Sequence, residues 1–160
     1  MKIGILSDTH IRKDRTLPRF VWESLAGVDT ILHAGDIVNE NLLEELALIA
    51  PVIAVTGNCD WWVKDLPEKI IVNLGPFRVG VTHGYAGKGN NTPERAYNTF
   101  EGDKVDIIVF GHSHIPHKSF YESILLFNPG SPTERRGQPN FSLGMMTIEE
   151  GYFDIRHLFF

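Results

Sequence analysis

The chain has 160 residues, of which 42% are apolar and 22% are charged, the balance of a single soluble globular domain. Its formal net charge of -5 argues against a nucleic-acid-binding surface, because affinity for a polyanion depends largely on lysine and arginine. No apolar run is long enough to cross a bilayer or to act as a signal peptide, and the single cysteine, Cys59, excludes an internal disulfide. We therefore expect one cytoplasmic domain over residues 1–160.

Short apolar runs rich in β-branched residues recur along the chain and predict strands. The predicted strands cover residues 2–6, 30–33, 52–55, 69–74, 78–82, 106–110, 124–127, 142–148 and 152–158. Helical spacing predicts helices over 17–25, with Pro18 in the first turn, 41–49 and 93–100. Strands and helices alternate in the first half, which favours a parallel sheet, whereas the strand-rich last third favours antiparallel pairing. The pattern predicts an α/β domain with two packed sheets.

Side chains that bind metals follow five of these predicted strands directly. Groups that bind ligands collect at the carboxyl ends of parallel strands, so the five segments are expected to share one pocket. Taken singly, each segment has another explanation, such as a turn residue or a solvated histidine. Their joint occurrence favours a metal site, and His112 and His114 would share one face if they lay on a strand. The segments are Ser7-Asp8-Thr9-His10, Ala34-Gly35-Asp36, Gly57-Asn58-Cys59-Asp60, Thr82-His83-Gly84 and Gly111-His112-Ser113-His114.

The donor set of these segments consists of imidazoles, carboxylates and one amide. Such donors suit Mn²⁺, Fe, Zn²⁺ or Ni²⁺, and one carboxylate can bridge two ions. Two ions about 3.5–4 Å apart polarise phosphoryl oxygens, activate a bridging water as the nucleophile and stabilise the leaving oxygen. The sequence therefore predicts a site suited to the hydrolysis of phosphate esters.

These blocks, in this order, resemble the calcineurin-like metallophosphoesterase superfamily. Leu32-His33-Ala34-Gly35-Asp36, Gly57-Asn58-Cys59-Asp60 and Asn128-Pro129-Gly130-Ser131 are most similar to its small single-domain bacterial and archaeal phosphodiesterase branch. The resemblance implies a four-layer α/β/β/α sandwich of two mixed sheets flanked by helices, with the metals at strand ends. It also implies two divalent ions per chain, manganese first, with Ni, Fe, Zn, Mg or Co as alternatives.

The resemblance assigns each candidate ligand to an ion. One ion takes Asp8, His10, His114 and a shared Asp36, and the other takes Asp36, Asn58, His83 and His112. Of these residues, the resemblance gives Asp36, Asn58, His83 and His112 catalytic roles. The implied substrate is a small phosphate ester, most similar to those of phosphodiesterases.

Cys59 stands where many members of the superfamily have a histidine thought to contact the scissile phosphate or protonate the leaving group. A thiol with a pKa of about 8.5 is a poor proton donor near neutrality, so we expect substrates with good leaving groups. A small residue packed beside the metal ligands is the alternative role for Cys59. Asp60 is expected to orient a ligand and not to bind metal itself.

Two other functions remain open: a protein-interaction scaffold, as in the retromer subunit of the same superfamily, and a nuclease. The intact ligand set counts against the scaffold, and the acidic charge counts against the nuclease. We expect no membrane partner and no nucleic acid. Trp61 and Trp62, predicted to be one packed and one partly exposed, and residues 158–160 are compatible with a homo-oligomer. Arg135 and Arg136 are expected to be solvated, although one guanidinium near the pocket could steer a phosphate.

Overall fold

In the computed structural model, which describes all residues from Met1 to Phe160, the chain folds into two five-stranded sheets. The helices are α1 (Arg19–Leu25), α2 (Asn41–Ala47) and α3 (Thr92–Thr99). The strands are β1 (Lys2–Leu6), β2 (Thr30–His33), β3 (Val52–Ala54), β4 (Lys69–Leu74), β5 (Phe77–Thr82), β6 (Ile107–Val109), β7 (His117–Tyr121), β8 (Ile124–Asn128), β9 (Ser142–Glu149) and β10 (Tyr152–Phe159). The sheet orders are β10-β9-β1-β2-β3 and β4-β5-β6-β8-β7.

Alternating side chains of the central strands divide the apolar core into layers. In β1, Ile3 and Ile5 lie in the cluster between the two sheets, whereas Leu6 belongs to the cluster that holds α1 and α2. In β6, Ile107 faces the other sheet and Ile108 packs with α3. The result is the four-layer α/β/β/α sandwich that the resemblance implies.

The strands that lead into the candidate site are parallel to their neighbours. In one sheet β1, β2 and β3 are parallel, and in the other β5, β6 and β8 are parallel. The remaining pairings are antiparallel, including the β9–β10 hairpin, which turns through Glu150 and Gly151 with φ of 49° and 82°. The sheets are therefore both mixed, and the segments after the parallel strands lie at their carboxyl ends.

The structure corrects several details of the sequence prediction. β7 was missed because it is an edge strand whose side chains are half-buried or exposed, so its sequence lacks an apolar run. Pro18 caps α1 instead of lying in its first turn, and α2 ends at Ala47, before the predicted residue 49.

Trp61 and Trp62 are 83% and 80% exposed, so the prediction that one of them packs in the core is wrong. No helix has the length and apolar character needed to span a membrane.

Candidate metal centre

The loops after β1, β2, β5 and β6 bring imidazoles and carboxylates into direct contact. Asp36 Oδ2 lies 3.4 Å from Nε2 of both His10 and His83. Asp8 Oδ1 lies 3.3 Å from Nε2 of His114 and 4.0 Å from Nε2 of His83. His10 and His114 approach each other to 3.3 Å through their Nε2 atoms. Asp36 and Asp8 therefore each lie between the pair His10 and His114 on one side and His83 on the other.

His112 and Asn58 extend the group that contains His83. Nδ1 of His112 lies 3.0 Å from Oδ1 of Asn58, and the rings of His112 and His83 are 5.2 Å apart. The sequence also suggested that His112 and His114 share one face of a strand, and this is wrong. They follow β6 in a left-handed backbone, with φ of 67° and 59°, and point into different groups.

Three sets of three donors have all their ligand atoms within 4.8 Å of one another, close enough for a single ion. Each pair of sets shares one residue, which is Asp8, His10 or Asp36. The sets are Asp8-His10-His114, Asp8-Asp36-His83 and His10-Asp36-Cys59.

Two buried polar atoms in the middle of this cluster, Asp8 Oδ1 and His83 Nε2, have no hydrogen-bond partner. A buried polar atom without a partner costs about 1–3 kcal/mol, so such atoms are rare unless something else satisfies them. A carboxylate oxygen and an imidazole nitrogen are both ligands for a divalent cation. The residues present therefore fit a metal centre.

The outer nitrogens of two histidines fix which nitrogen faces the centre. Nδ1 of His83 lies 2.7 Å from the carbonyl oxygen of Ala34, and Nδ1 of His114 contacts the carbonyl oxygen of Glu134. Because a carbonyl only accepts, each Nδ1 carries the proton and donates it. The lone pair of each Nε2 is then directed into the cluster, the arrangement that metal-binding histidines use.

The ionisation of the cluster also favours a cation. Burial is the largest cause that raises the pKa of Asp8 to about 7, and the charge of Asp36 raises it further. Burial lowers the pKa of His83, but Asp36 Oδ2 at 3.4 Å and the charges of Asp8 and Asp36 outweigh it, so the pKa is raised. Burial alone would raise the pKa of Asp36, yet the nearby imidazole of His83, its charge and the N–H of Cys59 hold that pKa well below its ordinary range. Asp36 therefore stays ionised, and Asp8, which ionises near neutrality, adds negative charge beside the unpartnered atoms.

Comparison with known proteins assigns the family. A family model for the calcineurin-like phosphoesterase superfamily domain matches residues 1–151. The chain belongs to this superfamily. Members of the family use divalent metals, so the chain is a metal-dependent phosphoesterase and a hydrolase.

Three similar proteins illustrate the relationship. The probable metallophosphoesterase MJ0623 of Methanocaldococcus jannaschii is 37% identical over 154 residues, covering 94% of this chain and 77% of that protein. The structure of the phosphoesterase YfcE from E. coli is 28% identical with a TM-score of 0.68, covering 92% of this chain and 88% of YfcE. Vps29 from Entamoeba histolytica, complexed with Zn²⁺, is 20% identical with a TM-score of 0.80 and 99% coverage of both chains. This last likeness shows the fold alone.

Asp60 of the phosphoesterase binds backbone N–H groups and not the centre itself. Its Oδ2 accepts from Asp36 at 2.9 Å and from Gly57 at 2.7 Å, and its Oδ1 accepts from Ile37 and Val38, both at 2.7 Å. Four donors on one buried carboxylate fix the two loops that carry Asp36 and Asn58. This contact pattern agrees with the orienting role expected from the sequence.

Cys59 lies at the edge of the same cluster. Its N–H donates to Asp36 Oδ1 at 2.8 Å, and its Sγ accepts from Asn58 Nδ2 at 3.4 Å. Burial is the largest cause that raises the pKa of the thiol to about 11, and the charge of Asp36 adds to it. Cys59 is therefore a neutral and very weak acid near pH 7.

His33 joins two loops of the site. Nδ1 of His33 accepts from the N–H of Gly35 at 3.3 Å, so its Nε2 carries the proton and faces Thr9 Oγ1 at 3.1 Å. Burial is the largest cause that lowers the pKa of His33 to about 3, which keeps the ring neutral. The imidazole holds the loop after β1 against the loop after β2.

The backbone of the centre is strained at most of its ligands. Five candidate ligands have positive φ angles between 43° and 67°, although none is glycine. Such conformations cost about 1–3 kcal/mol each and persist only where surrounding contacts hold them, most often at functional sites. Gly57 makes room for one of them, because a Cβ there would lie 2.2 Å from Oδ1 of Asp36. The five residues are Asp8, His10, Asp36, His112 and His114.

The end of β8 and the loop after it support the centre through residues that the sequence analysis did not name as site residues. Ser131 Oγ donates to the carbonyl oxygen of Asp8 at 2.7 Å, and Thr133 Oγ1 donates to that of Thr9 at 2.6 Å. Asn128 Nδ2 donates to the carbonyl oxygen of Gly111 at 2.7 Å. In the sequence, this loop is indicated only by the Asn-Pro-Gly-Ser run, which belongs to the family resemblance.

A cavity of about 240 Å³ lies beside His10, between the loops after β1 and β8, with Thr9, Thr133 and Glu134 among its lining residues. His10 is the one candidate ligand that lines it. A larger cavity of about 540 Å³ lies between α3 and β7 and contains none of the candidate ligands.

Proposed function

We propose that the protein is a phosphodiesterase that hydrolyses small phosphate esters at a centre of two divalent metal ions. One ion is held by Asp8, His10, Asp36 and His114, and the other by Asp36, Asn58, His83 and His112. The observation that carries the proposal is the pair of buried atoms without partners, Asp8 Oδ1 and His83 Nε2, within overlapping donor sets. Phosphodiesterase YfcE, which is 29% identical over 91% of this chain, supports the reaction type.

Manganese is the proposed ion, with Ni, Fe, Zn, Mg or Co as alternatives. The nitrogen-rich donor set, without a thiolate in its core, supports a borderline metal over calcium. When bound, two such ions supply a hydroxide nucleophile at neutral pH and neutralise the phosphoryl oxygens. The chain itself supplies orientation, because carbonyl oxygens fix the rings of His83 and His114.

Removal of metal tests this proposal directly. Treatment with a chelator is expected to abolish hydrolysis of bis(p-nitrophenyl) phosphate, and added Mn²⁺ is expected to restore it. Two ions per chain should be found by elemental analysis of the reloaded protein. The melting temperature should also rise, since a ligand at about 100 times its Kd stabilises the folded state by about 2.7 kcal/mol. A metal-loaded protein that turned over no aryl phosphate ester would refute the proposed activity.

Cys59 determines which leaving groups the site can expel. Cys59→His is expected to raise kcat for phenyl phosphodiesters by about tenfold or more, because a positioned general acid contributes about 10²–10⁴-fold. Nitrophenyl esters need no proton on the departing oxygen, so their kcat should change little. Cys59→Ser is the matched control and should change neither rate strongly. Equal effects of Cys59→His on both esters, measured at saturating Mn²⁺, would contradict a role in leaving-group protonation.

The scaffold alternative rests on the likeness to Vps29 and on the exposed pair Trp61 and Trp62. It is the weaker proposal because every candidate metal ligand is present and clustered. Metal content separates the two functions: a purified protein that binds no transition metal, even after reloading, would favour the scaffold.

A further inference from the structure

One of the three donor sets contains sulfur. His10, Asp36 and Cys59 each place a ligand atom within 4.8 Å of the other two, whereas the other two sets consist of imidazoles and carboxylates alone. His10 and Cys59 are half-buried and Asp36 is buried, so this set lies where the cluster meets solvent and can be reached by an ion. An ion bound by this set has a thiolate among its ligands.

Short contacts hold the three donors of this set together. The N–H of Cys59 donates to Asp36 Oδ1 at 2.8 Å, and the Sγ atom accepts from the amide of Asn58 at 3.4 Å. The other carboxylate oxygen, Asp36 Oδ2, lies 3.4 Å from Nε2 of His10. Donor atoms around a tetrahedral ion with bonds of about 2.0–2.3 Å are about 3.5 Å apart. Shifts of roughly 1 Å therefore bring all three donors onto one ion.

The sulfur changes which cations this set prefers. Thiolates favour soft cations, whereas carboxylates and water suit Mg²⁺ and Mn²⁺, and Cd²⁺ is a soft divalent cation. The raised pKa of Cys59 does not prevent such a bond, because a coordinating thiol is deprotonated by the cation itself. The thiol proton leaves to solvent as the bond between sulfur and metal forms, and nothing is oxidised or reduced.

We propose that His10, Asp36 and Cys59 form a binding site for a soft, thiophilic divalent cation such as Cd²⁺, and that this cation inhibits the hydrolase. The inhibitory cation binds His10 and Asp36, which the Mn²⁺ ions of the proposed centre also need. It competes with them through a sulfur atom that they do not use. The inhibition rests on the proposed function, whereas the binding of the cation does not.

The bond between a thiolate and Cd²⁺ has an ultraviolet charge-transfer band, and Cys59 is the only cysteine, so this band reports on one residue. Titration of Cd²⁺ into the metal-free full chain, without thiol reductants, should produce the band. His10→Ala should raise the Cd²⁺ concentration at the midpoint by about tenfold or more, since even a group that only orients a metal ligand is worth about 10–100-fold in affinity.

His117→Ala is the matched control for loss of an imidazole, because His117 lies on β7 and contacts Ser119, and it should leave the midpoint nearly unchanged. A midpoint that did not respond to His10→Ala would show that Cys59 binds Cd²⁺ as an isolated thiol, and the proposed site would be wrong. Absence of the band in the wild type would overturn the proposal as well.

Competition is tested on the Mn²⁺-loaded protein. Added Cd²⁺ should inhibit hydrolysis of bis(p-nitrophenyl) phosphate, and Cys59→Ser should need about tenfold more Cd²⁺ for the same inhibition, while its calorimetric affinity for Mn²⁺ changes by about threefold or less. Equal sensitivity of both proteins to Cd²⁺ would overturn the inhibitory role. A wild type that hydrolysed no ester would instead refute the proposed function, and the charge-transfer band would still decide whether the site binds Cd²⁺.

Discussion

Replacing Asp36 with Asn is expected to lower kcat/KM for aryl phosphate esters by about 10³-fold or more while the fold is retained. The Oδ2 atom of Asp36 is 3.4 Å from Nε2 of both His10 and His83, so this single oxygen contacts both groups of imidazoles. Loss of its charge removes metal-based stabilisation of several kcal/mol, and each 1.36 kcal/mol corresponds to a factor of ten in rate. The amide keeps an oxygen that can still accept from the N–H of Cys59.

Metal content should change together with activity in this variant. Elemental analysis of Asp36→Asn is expected to find fewer than two ions per chain under conditions that load the wild type fully. Asp154→Asn, an exposed aspartate on β10, is the control and should match the wild type in both measurements. Wild-type turnover by Asp36→Asn at saturating Mn²⁺ would show that the shared carboxylate is not part of the reacting centre.

The sequence predicts the fold well where each element carries its own signal. The predicted strands coincide with observed ones because each buries a short apolar run, as Ile3 and Ile5 do in β1. The candidate ligands were found because each follows such a run directly. β7 lacks that signal, since its side chains lie at an edge and are at best half-buried.

The features that the sequence does not predict depend on contacts between residues that lie far apart in the chain. His112 and His114 leave the strand direction after Gly111, which packs so closely on the first ligand loop that a Cβ there would clash with Ser7 Oγ. The tautomer of His83 depends on the carbonyl oxygen of Ala34, which is 49 residues away in the chain. The support that Ser131 gives to Asp8 joins residues 123 positions apart. No local pattern encodes such contacts.

Asp60 concentrates this kind of long-range support in one side chain. Its carboxylate binds the N–H groups of Asp36, Ile37 and Val38, which belong to the loop after β2, and that of Gly57, in the loop after β3. Asp36 and Val38 have φ angles of 57° and 73°, a backbone that these residues do not adopt without such restraint. The contacts of Asp60 therefore hold Asp36 in place.

Asp60→Asn is accordingly expected to lower the free energy of unfolding of the metal-free protein by about 3 kcal/mol or more. The amide nitrogen cannot accept, so up to two of the four buried N–H groups lose their partner, at about 1–3 kcal/mol each. For a chain of this size the melting temperature should fall by about 10 °C. Affinity for Mn²⁺ should fall about 10–100-fold, as expected when a group that orients a ligand is lost.

Two comparisons make this prediction specific. Asp29 accepts a single exposed N–H, from Lys2 at 2.6 Å, so Asp29→Asn should change the melting temperature only slightly. Asp36→Asn should weaken metal binding but lower metal-free stability less than Asp60→Asn does, since it loses its ionic contacts with His10 and His83 but can keep its contact with the N–H of Cys59. Asp60→Asn should therefore have the larger effect on metal-free stability. If its melting temperature matched that of Asp29→Asn, the four N–H contacts would not be what restrains the strained loop.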